Sequence, residues 1–102
     1  MAQANRVIVS GRLIELDALR HTPAGVPIVK FRLQHDSTQT EAGAERKVSC
    51  EIAAVAFERE ATLLAAAKLG SEVKVTGFLA ARSRTSRSVL LHATEVEYKE
   101  GD

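Results

Sequence analysis

A small closed β-barrel of five strands carrying one helix is the fold class this sequence predicts, and three features predict it. Short segments in which apolar and polar residues alternate recur along the chain, the period-two signature of strands with one buried face. One stretch of strong helix formers, free of Gly and Pro, interrupts them after the third segment. Two of the strands share one grammar, Val7-Ile8-Val9-Ser10-Gly11-Arg12-Leu13 and Val73-Lys74-Val75-Thr76-Gly77-Phe78-Leu79. A glycine at the same point in each is what a strand needs where it bends at a barrel corner. At 102 residues the chain has room for one core, so a single domain over residues 1–98 with a fraying tail at 99–102 is expected and two domains are excluded.

The first strand spans Val7 to Leu16, with Val7, Val9, Gly11 and Leu13 on its inner face. Pro23 and Gly25 mark a turn over residues 22–27, and Pro27 can open the next strand, where a missing N–H is tolerated. That second strand, Ile28 to Gln34, sets Val29, Phe31 and Leu33 against Lys30, Arg32 and Gln34, which gives it a basic outer face. Residues 36–45 lose all period and read as a long surface loop. The third strand directs Val48, Cys50, Ile52 and Ala54 inward and Lys47, Ser49, Glu51 and Ala53 outward. A helix over Phe57 to Leu69 follows, stopped by Gly70. The fourth strand covers Val73 to Leu79, the arginine-bearing segment 82–88 is a loop, and the fifth strand runs from Val89 to Tyr98. Five strands with one helix between the third and fourth match the Greek-key OB barrel; a β-sandwich wants about seven strands and no intervening helix.

Fourteen Lys and Arg against thirteen Asp and Glu leave a net charge of +1, which excludes a binder held by bulk charge alone. Any polyanion site must be local. Cys50 is the single cysteine, so an intrachain disulfide is impossible and a reducing, cytoplasmic compartment is expected. The longest apolar run, Ile52 to Phe57, is far too short to span a bilayer, and the residues after Met1 lead into strand alternation, not a signal peptide. No membrane association is expected.

Catalysis finds no foothold. His21, His35 and His92 fall in separate elements, Cys50 sits mid-strand on the apolar face, and no glycine-rich loop opens the helix. Glu58 and Glu60 point to different sides of the first helical turn, where they suit the helix dipole. The chain is therefore expected to be no enzyme and to carry neither metal nor cofactor.

Arg82, Arg84 and Arg87 are of another kind, because no acid lies between them. With Arg12, Lys30, Arg32 and Lys47 they can line one side of an OB barrel, where such folds take oligonucleotides. Asp36, Glu41 and Glu45 count against a continuous basic groove. Phe31 and Phe57 read as packing residues, whereas Phe78 is a candidate exposed ring, so binding should be mainly electrostatic. Contacts to about four to six phosphates would give a log–log salt slope of about −3 to −4. Ile8 and Ile14 face outward on an edge-type strand and predict homodimerisation.

Asn5-Arg6-Val-Ile-Val-Ser-Gly11, Pro23-Ala-Gly-Val-Pro27, Phe31-x-Leu33-x-His35, Glu41-Ala-Gly43, Val75-x-Gly77-Phe78 and Leu91-His92-Ala93 together resemble the primosomal replication protein N (PriB) family, over residues 5 to 98. The opening and the glycine-kinked strands are shared with bacterial single-stranded DNA-binding proteins; the Pro-x-Gly-x-Pro, Glu-Ala-Gly and Leu-His-Ala series favours the primosomal branch. The resemblance implies a homodimeric OB-fold factor without catalysis that binds single-stranded DNA and the restart helicase PriA, stimulates its unwinding, and helps assemble the primosome. Family DNA contacts correspond to Arg20, to Arg46 and Lys47 at the start of the third strand, to Ser49, and to the loop with Arg82, Arg84 and Arg87. Where members carry aromatics this chain has Ala44 and Ser49, and Asp36 replaces a basic residue. Two lost stacking rings at about 1.4 kcal/mol each imply about 100-fold weaker DNA binding. Two alternatives stand beside this one: a protein–protein interaction module that touches DNA incidentally, and a general single-stranded DNA-binding protein.

Overall fold

The alternation of the first segment builds β1 (Val7–Leu16), in which Gly11 and Leu13 are buried and Ile8 and Arg12 exposed. The structure is a computed structural model and describes residues 3–99. After β1 the chain makes β2 (Arg20–His21), β3 (Pro27–Glu41), β4 (Ala44–Phe57), the helix α1 (Glu58–Ala65), β5 (Glu72–Ala81) and β6 (Val89–Tyr98). The two-residue β2 was not legible in the sequence; it lies beside the start of β3, with Arg20 opposite Ile28. The turn at Pro23 is as expected, with Gly25 at φ 83° and its N–H donating to the Thr22 carbonyl (2.7 Å).

Strand order β1-β5-β6-β4-β3-β2, with β1 also pairing β3, closes five long strands into an OB barrel. Among the described residues only the β4–β6 contact, Ala54 to Ala56 against Leu91 to Ala93, is parallel. Leu13, Val29, Phe31, Leu33, Val73, Val75 and Leu91 fill the interior, and α1 packs Ala61 and Leu64 onto them from the side of β3, β4 and β6. Both kinked glycines sit where strands crowd. A Cβ at Gly11 would stand 2.8 Å from the Gln34 carbonyl oxygen, and Gly77 lies at a bulge between β5 and β6.

Three expectations need correction. Residues 36–45 form no loop: β3 and β4 pair without interruption from Ile28↔Phe57 to Glu41↔Ala44, joined by Ala42 and Gly43 at φ 53° and 79°. Positive φ at both central residues is the two-residue hairpin turn whose twist matches its strands. The segment lacks period because this arm outruns the barrel, so neither face of it is buried. The arm raises the radius of gyration to 14.7 Å, against about 13 Å for a compact chain of this length. For the same reason Cys50, expected inside, is exposed: it continues the face that carries Leu33 and Ile52, but past the point where anything covers it. The helix is shorter than Phe57 to Leu69. Phe57 is its N-cap, and Ala66 and Ala67 donate to Leu63 and Leu64, a tightened last turn that returns the chain to Leu13, whose carbonyl accepts from the Gly70 N–H (2.7 Å).

Since a Cβ on Gly43 would meet nothing, Gly43→Ala is charged only for its left-handed backbone. It should cost about 1 kcal/mol, read as a fall in Tm with DNA affinity unchanged. At the far end of β6 the Tyr98 hydroxyl donates to the Leu63 carbonyl (3.1 Å), and partial burial raises the phenol above its usual pKa. Lys99, read as tail, is tied to Glu72 by its backbone N–H (3.1 Å); the rest of the tail, 100–102, lies outside the described residues. Among the described residues no helix is long and apolar enough to cross a membrane.

Candidate nucleic-acid interface

Residues directly opposite in an antiparallel pair project from the same side of the sheet. The outer face of β3 and β4 is therefore a ladder of Lys30/Val55, Arg32/Ala53, Gln34/Glu51, Asp36/Ser49 and Thr38/Lys47. Two contacts along it agree, Gln34 Nε2 donating to Ser49 Oγ (3.0 Å) and Arg32 Nη1 lying 3.8 Å from Glu51 Oε1. The opposite face carries Val29, Phe31 and Leu33 into the core and then, beyond the barrel, His35/Cys50, Ser37/Val48 and Gln39/Arg46.

A cleft of about 170 Å³ opens at the barrel end of this ladder, lined by Glu15, Asp17, Lys30, Arg32 and Arg82 above Phe31, Ala53, Ala54 and Leu90. Arg82 reaches it because the loop it begins is pinned at its base, its N–H donating to the Ser88 carbonyl (3.0 Å). Arg20 stands next to it, sharing a smaller recess with Asp17 and Lys30. Four of the cations singled out in the sequence, Arg20, Lys30, Arg32 and Arg82, thus converge from three separate chain segments. Arg12 lies opposite Gln34, at the flank of the same face. Lys47 and Ser49 continue it along the arm, around a shallow depression shared with Asp36 and Thr38. Arg84 and Arg87 are exposed in the loop but do not line the cleft.

Arg46 is separated from this group. It projects from the other face of the arm and pairs with Glu41 (2.9 Å) near the hairpin tip. Asp36 does interrupt the cationic row, as expected: it lies between Arg32 and Lys47, accepting from Gln34 Nε2 (3.4 Å).

Two features escaped the sequence reading. The first is Glu15, whose Oε2 lies 2.7 Å from Arg32 Nε. Its signal was present: strict alternation from Leu13 would turn Glu15 inward and Leu16 outward, wrong for both, and one extra residue repairs both. The structure has that bulge, Leu13 facing Leu33 and then Glu15, not Ile14, facing Arg32. The second is a stack of rings on the outer side of β4, β6 and β5, with His92 5.0 Å from Phe78 and 6.0 Å from Phe57, all near parallel. Phe57, expected to pack, is thus partly exposed, as is Phe78. Phe31 is buried, so no ring stands within the ladder from Lys30 to Thr38.

Ile8 is 52% exposed on β1, where β5 covers one edge and β3 pairs only from Arg12 onward. Ile14 is half-buried at the bulge, outside the alternation that exposes Ile8. His35 holds the root of the arm against this part of β1, its Nδ1 2.6 Å from the Ser10 carbonyl and its Nε2 2.8 Å from Ser37 Oγ. Among the described residues no three His, Cys, Asp or Glu side chains group as a cation would need.

Comparison with known proteins converges on one family. A profile described as another single-strand binding protein family matches residues 5–95. The chain is 40% identical over 91 residues to the replication restart protein PriB of Nitrosomonas europaea, covering 89% of this chain and 84% of that one. To the protein of the same name in Bordetella pertussis it is 46% identical over 88 residues, 86% of this chain and 82% of that one. Among solved structures, PriB from Ralstonia solanacearum matches with a TM-score of 0.84 at 32% identity, covering 93% of this chain and 97% of that one. A small single-stranded DNA-binding protein from Streptomyces coelicolor matches in fold, with a TM-score of 0.75 at 21% identity over 97% of this chain and 95% of that one.

Proposed function

As the chain belongs to the single-strand binding protein family and, within it, to the replication restart proteins PriB, binding factors and not enzymes, we propose that it serves replication restart by laying single-stranded DNA across the outer face of β3 and β4. The observation that carries this reading is the convergence of Lys30, Arg32 and Arg82 on one cleft, with Arg20 in the recess beside it, at the face where OB folds receive oligonucleotides. Lys47 and Ser49 extend the path along the arm, Arg12 flanks it, and Arg84 and Arg87 supply a more diffuse attraction from the loop. Arg46, on the far face, serves a strand only if it wraps the hairpin edge.

The finer reading adds a partner. The protein binds the restart helicase PriA, stimulates its unwinding and helps assemble the primosome in the cytoplasm, acting as a homodimer. Support for the dimer is the half-covered edge of β1 with Ile8 on it; Ile8→Glu should shift sedimentation toward the monomer. With no ring in the ladder, affinity for DNA rests on phosphates. Anisotropy with a short oligothymidine should give micromolar Kd near 0.1 M salt and a log–log slope of about −3 to −4. Nanomolar binding at moderate salt would contradict it. Repeating the titration on fork DNA with the helicase present tests the partner, a helicase-dependent shift being the expected result.

A second reading, a protein-interaction module, draws support from the acids Glu15, Asp17 and Glu51 set among the cations of the face. Charge reversal at Arg84 and Arg87 separates the two readings. Loss of helicase stimulation together with DNA binding supports the first, and stimulation that survives loss of DNA binding supports the second.

A further inference from the structure

We propose that Glu15 is a built-in counterion of the DNA-binding face, holding the Arg32 guanidinium in an ion pair that a phosphate must displace, and so limits affinity for single strands. The inference rests on the functional reading above. Its geometry comes from three observations. Glu15 Oε2 is 2.7 Å from Arg32 Nε, the shortest of the ion pairs among the described residues. Glu15 reaches that position only through the bulge in β1, the same extra residue that turns Leu16 onto the core. Arg32 also lines the cationic cleft together with Lys30 and Arg82, and lies between Lys30 and Gln34 on the ladder.

Both partners are partly exposed, 35% for the Arg32 side chain and 63% for Glu15, so the pair adds little to folding stability. Its consequence falls on binding. While Glu15 neutralises Arg32, a phosphate arriving there gains no released counterion and meets a nearby negative charge. Glu51, at 3.8 Å, reinforces the effect more weakly.

The test is a salt series of oligothymidine binding by the full chain and four variants. Glu15→Gln keeps the shape and removes the charge; it should tighten binding about fivefold near 0.1 M salt and steepen the log–log slope by about 0.7, one further phosphate engaged. Arg32→Ala should abolish the gain: the Glu15→Gln/Arg32→Ala double variant should bind no more tightly than Arg32→Ala alone. Glu97→Gln, on β6 opposite Lys74, makes the same change in net charge away from the cleft and should leave binding within about twofold. Thermal melts that coincide with wild type show that the fold is intact. Equal tightening by Glu97→Gln and Glu15→Gln would overturn the proposal, reducing it to long-range charge. Unchanged binding in Glu15→Gln, with the wild type binding DNA, would overturn it and leave the functional reading intact. No binding by any of them at low salt would remove both.

Discussion

Gly77→Ala is expected to lower the melting temperature by about 15 °C, a loss of about 3 kcal/mol in a domain of this size. The added methyl has nowhere to go. It collides with the carbonyl oxygen of His92 on β6, stands 2.8 Å from that residue's carbonyl carbon, and comes within 3.2 Å of the Ala93 Cα. All three are backbone atoms in the barrel wall, at the point where β6 is bulged by one extra residue, Thr94, so no side chain can swing aside to make room. Gly11→Ala, whose Cβ meets the Gln34 carbonyl oxygen at 2.8 Å and the Leu33 Cβ at 3.2 Å, should cost less because the overlap is smaller. A Gly77→Ala protein melting within about 3 °C of wild type would show that the β5–β6 approach is softer than this geometry requires.

Charge reversal of two cleft cations is the change that should most weaken DNA binding. Lys30→Glu with Arg82→Glu replaces two phosphate partners from different segments by repulsive groups. Affinity for oligothymidine near 0.1 M salt should fall about 100-fold, equivalent to about 2.7 kcal/mol, and the salt slope should shrink by about 1.4. The control is Arg59→Glu on α1, an exposed residue paired with Glu60 at 3.3 Å and remote from the ladder, which should change affinity less than about threefold. Equal losses in the two proteins would mean that the strand feels only net charge and that the cleft has no special standing. The double variant should melt near wild type, since neither side chain is part of the core.

How much of this was legible differs from element to element. The five long strands, the single helix, the turn at Pro23 and the kinked glycines were all written in local pattern, because each of those segments has one face against the core and the core enforces alternation. The arm from Asp36 to Ser49 has no buried face, so its pairing left no trace in hydropathy, and only its Ala42-Gly43 turn marked it. Cys50 misled for a related reason: its face is the core face, but the face continues after the core has ended. The cations are visible in the sequence as residue types at particular positions, but their grouping is not. Arg46 and Lys47 are adjacent in the chain and stand on opposite sides of the sheet, whereas Arg20 and Arg82, far apart in the chain, line neighbouring depressions that share Lys30.

By itself the sequence determined the barrel, its order of elements and the basic character of its outer surface, since alternation, turn chemistry and charge are properties of neighbouring residues. Only the tertiary structure decided which cations share a cleft, which are already answered by a carboxylate, and where the aromatic rings stand. Those outcomes depend on strand register and on a single bulged residue in β1. Register has a period of two, so one inserted residue moves every later side chain to the other face, and local composition does not record which way it went.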